Sequence, residues 1–182
     1  ARASLATVSV ELDPLTASFA AANLADFSGS RVVVGDVTNF DPESFRDGNG
    51  KVVQGIWLDP ARRDLTGVVK SRTERIFDPE AYSPPLSFVV DLAKTGMPMG
   101  VKLGPGMPHE AIARPEDIRS EANPHPRVTA QWVEHEGSLV ELVLWFNALA
   151  QEGVARTVTV LRQEATGQAE DKGLRIHKTT LS

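Results

Sequence analysis

The sequence predicts an α/β fold: a parallel sheet with helices on both faces that finishes in antiparallel strands. Three observations carry this expectation. Short β-branched runs alternate with helix-forming stretches from Thr7 to Gly106, the pattern of strands joined by right-handed crossovers. Three of these runs stop at an acid, Glu11, Asp36 or Asp59, as buried strands do when they deliver a polar group to the edge of a sheet. The last third changes character, to alternating runs on either side of a glycine-containing turn.

The elements follow in order. "TVSVEL", Thr7 to Leu12, reads as a strand, and the Ala-rich "DPLTASFAAANLADF" after it places Leu15, Phe19 and Ala22 at helical spacing. Asp13 and Pro14 start that helix, the acid capping free N–H groups and the proline occupying a first-turn site that needs no hydrogen bond. "RVVVGD" is a second strand ending at Asp36, and "FDPESFRDGNG" a short helix and turn. The third strand, "VVQGIWLDP", leads into a connection of about two dozen residues, longer than a structureless loop usually runs. "SPPLSFVVDLAKTG" then carries Leu86, Val89, Val90 and Ala93 on one helical face and closes on Gly96.

"MGVKLGPG" is the fourth strand. "VTAQWVEHEGSLVELVLWF" gives two strands about the turn His135 to Ser138, and "RTVTVLR" another. From Glu164 the chain turns polar and reads as a frayed tail or linker, so the expected organisation is one domain over 1–163 and a tail over 164–182.

Composition narrows the function. The 182 residues suit a single core, and no segment approaches the ~18 apolar residues of a membrane span. Without cysteine there are no disulfides, thiolate metal sites or cysteine nucleophiles, and a reducing cytoplasm is the expected compartment. The net charge of −5 argues against polyanion binding by the whole surface. A local basic stretch stands out, Arg62, Arg63, Lys70, Arg72 and Arg75 against Asp64 and Glu74, with Phe77 and Tyr82 as candidate stacking platforms. It reads either as a solvated loop or as a phosphate-binding one. The four histidines are scattered and His109-Glu110 is not a metalloprotease motif, so no metal is expected.

Ligands of open α/β sheets bind beyond the carboxyl ends of the strands, where Glu11, Asp36 and Asp59 fall along one lip. Glu11 can accept from a ribose diol. Asp36, after a glycine that lets the backbone approach a ring, can accept from an exocyclic amine, with Val37 alongside. Taken singly, each acid is as easily a cap or turn residue; together, in this order, they point to a nucleoside.

The segments "VSVELDP", "RVVVGDVTNF", "GIWLDPARR", "FDPEAYSPPLS", "GVKLGPG" and "QWVEHEGSLVELVLW" together resemble the class I S-adenosylmethionine-dependent methyltransferases, more narrowly the bacterial subgroup with a THUMP-like domain. The resemblance implies a Rossmann-like sheet of strand order 3-2-1-4-5-7-6. It implies cofactor contacts at Glu11, Leu12, Asp36 and Val37. It also implies a catalytic segment at Asp59, Pro60 and Arg62, and substrate contacts at Arg63 and His109. RNA is the acceptor it favours; the rival is a non-catalytic module that binds nucleic acid or a protein partner. Related enzymes carry an aromatic residue after the Asn/Asp-Pro-Pro segment, where this chain has Ala61 and Arg62.

The front departs from the family. No glycine-rich loop precedes "TVSVEL", so the first, central strand is expected to be missing and the chain to be an inactive fragment that does not bind S-adenosylmethionine in the usual way. Either a missing N-terminal segment fills the gap or the second and fourth strands pair directly. Exposed strand edges would also let two copies pair as a homodimer.

Overall fold

The computed structural model describes residues 5–41, 44, 46–47, 49–62, 78–163 and 174–181. The fold is mixed α/β and dominated by strands, and the chain divides into two compact units, Ala1–Gln54 and Gly55–Ser182, where the sequence predicts a single core.

The first unit holds strands β1 (Val8–Glu11) and β2 (Arg31–Val34) joined by helix α1 (Pro14–Leu24). The strands pair in parallel, Val8 beside Arg31 and Glu11 beside Val34, and the Gly35 N–H extends the ladder to the Glu11 carbonyl at 2.9 Å. Asp13 caps α1 as expected, its Oδ1 accepting from the Thr16 N–H at 2.7 Å. That bond holds the Asp13 carboxyl below the ordinary carboxylate range, because it is made to the ionised form.

The helix turns its small side chains to the strands. Among the described residues of this unit Ala17 is the buried hydrophobic one, whereas Leu15 and Phe19 are 64% and 63% exposed. Leu15, Phe19 and Ala22 do share one helical face, but it is the exposed face, and the residue turned inward is Ala17.

The second unit contains β3 (Ile56–Leu58), β4 (Ala61–Arg62), β5 (Tyr82–Ser83), α2 (Leu86–Ala93), β6 (Met99–Leu103), β7 (Val128–His135), β8 (Ser138–Phe146), β9 (Arg156–Gln163) and β10 (Leu174–Leu181). Six of these strands form one sheet in the order β10-β9-β7-β8-β6-β3, while β4 and β5 make a separate antiparallel pair. β3 runs parallel to β6, and β8 lies antiparallel between β6 and β7. β9 continues parallel to β7, and β10 closes antiparallel on β9.

The expected frayed end is corrected over 174–181. "LRIHKTTL" is rich in β-branched residues and pairs with β9 from Leu174 opposite Gln163 to Leu181 opposite Arg156. The β7–β8 turn is as predicted: Glu136 and Gly137, at φ 49° and 87°, make a two-residue loop whose twist matches the strands.

One face of the sheet is the core. Met99, Val101, Leu142, Leu144 and Phe146 pack there with the Leu86, Val89 and Ala93 face of α2. No side chain of the flanking Pro85 caps α2; instead Glu80 accepts from the Ser87 N–H at 3.0 Å and hydroxyl at 2.6 Å, satisfying the first turn from outside. At the other end, Asn147 at φ 58° donates to the carbonyls of Ala93 and Met97, and Asn123 donates to the Asn147 side chain at 2.8 Å. These two buried amides tie the end of α2 to the end of β8.

The opposite face corrects the expectation of helices on both sides. Among the described residues of this unit the single α-helix is α2, on the core face. The other face presents Trp57 and Trp145, whose rings meet at 5.7 Å over Gly100. Trp145 is held by its indole N–H, which donates to Gln131 Oε1 at 2.6 Å.

Candidate functional site

Asp59 follows the last residue of β3, and parallel pairing aligns Leu58 with Val101 of β6. Continuing that register sets Asp59 beside Lys102, and the two form an ion pair, Nζ to Oδ2, of 3.1 Å. Their side chains remain 58% and 42% exposed, so the pair contributes ~0–1 kcal/mol to folding and is not held there for stability.

The pair borders an open cavity of about 210 Å³. Pro60 and Tyr82 line one part of it, Leu103, Gly104 and Pro105 another, and Val140 of β8 completes the lining. Tyr82 arrives by way of the β4–β5 pairing, which sets Arg62 opposite Tyr82 and Ala61 opposite Ser83. An aromatic ring therefore borders the cavity although the sequence after Pro60 has none: it comes from some twenty positions downstream, with 8% of its surface exposed.

The sequence-predicted residues distribute as follows. Asp59 and Pro60 share the cavity, and the backbone of Arg62 forms β4 beside it. Arg63, Lys70, Arg72, Arg75 and Phe77 lie outside the described residues. His109 is not among the cavity residues; its ring stacks on Trp132 at 5.3 Å and 24°, a packing role, with Trp132 in the core. Lys102 was missed because a lysine inside an apolar run signals only an outward-facing strand position, and nothing local to it reveals the acid on the neighbouring strand.

Glu11 and Asp36 belong to the first unit, where the parallel pairing brings both to the carboxyl end of the β1–β2 pair, with exposed Leu12 next to Glu11. Both acids also serve the backbone. Glu11 Oε1 accepts from the Asp13 N–H at 2.9 Å, and Asp36 Oδ1 caps the turn Val37–Asn39 by accepting from the Thr38 N–H and hydroxyl. The ring that lies against Gly35 is that of Phe40, not a ligand's: a Cβ on Gly35 would stand 2.8 Å from Phe40 Cζ.

Among the described residues no group of three His, Asp or Glu side chains is arranged to hold a metal ion, and no helix is long and apolar enough to cross a membrane. No family model, curated protein or solved structure matches the chain.

Proposed function

We propose that this chain is a Rossmann-like catalytic domain of a cytoplasmic S-adenosylmethionine-dependent methyltransferase whose acceptor is RNA. One observation carries the reading. Chain order alone would lead to a simple succession of strands, yet β8 lies between β6 and β7, so the sheet runs β3-β6-β8-β7. That is the 4-5-7-6 half of the order implied by the resemblance, and the parallel β2-β1 pair agrees with its 3-2 half. The one remaining strand of that order has no counterpart among the described residues. β1 and β3 accordingly have one hydrogen-bonded neighbour each among the described strands.

The residues suit the donor. Glu11 commits one carboxylate oxygen to Asp13, and its Oε2 carries no described bond, which leaves it able to accept from a ribose diol. Asp36 would face the adenine side. When bound, the donor supplies an electrophilic methyl group on a sulfonium. The protein's work is positioning: Asp59 orients the N–H of the acceptor and holds its proton, beside Pro60, Leu103 and Val140 in the cavity wall.

The test is calorimetric titration of the full-length protein with S-adenosylmethionine, followed by incubation with labelled donor and separated cellular RNA and protein. The expected result is heat that disappears in Glu11→Ala and label in the RNA. Label in protein alone would remove RNA as acceptor. Absence of both heat and label would leave the non-catalytic module as the better reading.

A further inference from the structure

We infer that the sheet face opposite α2 is a docking platform for single-stranded RNA, with Trp145 and Trp57 stacking on bases and Lys178 meeting the backbone. The inference rests on the reading of RNA as the acceptor and deepens it by naming a second place, apart from the Asp59 cavity, where that RNA is held. Trp145 is the anchor. It stands on β8, yet its Cζ3 lies over Gly100 of β6 and its indole N–H bonds to Gln131 of β7, so the ring is laid along the sheet across three strands. A ring held this way rests one face on the strands and turns the other outward. Trp57 adds a second surface on the neighbouring edge: it is 53% exposed, and its ring centre lies 5.7 Å from that of Trp145 at a tilt of 48°. Paired indoles offer stacking that every base can use, whatever its sequence.

Polar groups continue the platform on the other side of Trp145, where Gln131, Gln151, Thr157 and Lys178 border an open cavity. The Gln131 carboxamide is fixed at both ends, accepting from Trp145 and donating to Thr159 at 2.7 Å, and one of its N–H groups is left to spare. The Gln151 carboxamide has no described bond, and Thr157 donates to the Thr179 carbonyl at 2.8 Å, so its oxygen can still accept. Lys178 is exposed, and no described acid pairs with it. From Trp57 on β3 to Lys178 on β10 the face spans five strand spacings, roughly 24 Å, which gives room for about four nucleotides.

The same polar groups decide against a protein helix. An amphipathic helix laid here would press apolar side chains on the spare Gln131 N–H, the Gln151 carboxamide and the Lys178 ammonium, and burying each of them unpaired is costly. A nucleotide strand covers the indoles with rings and brings acceptors, donors and phosphates to the rest. Charge plays the smaller part, because the chain carries a net charge of −5 and Lys178 is the cation beside the cavity. Stacking therefore carries the affinity, and the salt dependence should be shallow.

The test titrates the full-length protein, without methyl donor, with end-labelled tetrauridylate and tetraadenylate, with the corresponding mononucleotides, with an RNA duplex and with an acidic peptide. Fluorescence anisotropy reads binding and tryptophan quenching reads stacking. The expected result is that at least one tetranucleotide binds and quenches, with a log–log salt slope of about −0.7 to −1.4, as one or two neutralised phosphates give. Trp57→Leu should weaken that binding by about tenfold or more, and Lys178→Met should weaken it and flatten the slope. Thermal melting checks that both variants fold. A mononucleotide that binds as tightly as the tetranucleotide would replace the RNA strand by a free nucleotide, and equal binding of the duplex or of the acidic peptide would reduce the site to a general anion or protein contact; each overturns the inference. No tetranucleotide binding, or binding indifferent to both variants, overturns it outright. Because no donor is present, failure of methyl transfer and failure of docking are read separately.

Discussion

Replacing Gly100 by alanine puts a methyl group beneath two indole rings. Built on the existing backbone, the new Cβ stands 2.8 Å from Trp57 Cε3 and 2.9 Å from Trp57 Cζ3 and Trp145 Cζ3. Ordinary carbon contacts lie near 3.5–4.0 Å, so both rings must retreat by more than half an ångström. Trp57 can do so, being 53% exposed at the edge strand. Trp145 cannot without straining its 2.6 Å bond to Gln131, which in turn donates to Thr159 at 2.7 Å. Overpacking of this kind costs about 1–3 kcal/mol, and the lower chain entropy of unfolded alanine returns ~0.4–1 kcal/mol, so the net expectation is a loss of about 1–2 kcal/mol. All three tryptophans lie in the second unit, so urea unfolding followed by tryptophan fluorescence reports on that unit alone. The midpoint should fall at unchanged slope. In the Trp57→Ala background the same substitution should cost clearly less, a coupling read from a double-mutant cycle. If Gly100→Ala is as stable as the parent, the rings do not rest on the strand backbone and the account of this face is wrong.

Asn147→Ala removes two donated hydrogen bonds and the acceptor for Asn123 at a left-handed backbone position, and should cost about 2–4 kcal/mol in chemical unfolding. Asn147→Gly, which relieves the backbone, should cost less; equal losses would refute the backbone part. Lys102→Met should leave the melting temperature nearly unchanged, since an exposed ion pair is worth ~0–1 kcal/mol, and a large drop would make the pair structural. Glu134 accepts from both terminal nitrogens of Arg162, Nη2 at 2.9 Å from Oε2, and from the Gly137 N–H, and chiefly the Arg162 bond holds its carboxyl below the ordinary value of 4.5. A depressed acid stabilises the fold above its unfolded value and loses that contribution as the pH falls through its folded one. Unfolding midpoints measured from pH 7 downward should therefore decline more steeply below about pH 4.5 in the parent than in Glu134→Gln, and parallel profiles would contradict the linkage.

Local signals told the truth where they were strong. The Asp13-Pro14 start, the Glu136-Gly137 turn and the Leu86, Val89 and Ala93 stripe are all set by a few neighbouring residues, and each is found as read. Signals spread along the chain were weaker. β10 sits in a polar segment, and its partner strand is what makes it a strand. Asn123 and Asn147 look like ordinary loop residues until the ends of α2 and β8 meet them. Half the candidate site was legible, because Asp59-Pro60 breaks an apolar run; Lys102 and Tyr82 were brought to it by strand pairings whose partners lie 43 and about twenty positions away.

The short clasp between Ala61–Arg62 and Tyr82–Ser83 has an evolutionary consequence. A pairing of two residues on each side fixes where both ends of the intervening chain stand, and the cost of closing that chain grows only logarithmically with its length. Pro60 and Tyr82 therefore meet at one cavity because of these four residues, and a change in the length between them has no need to separate the two.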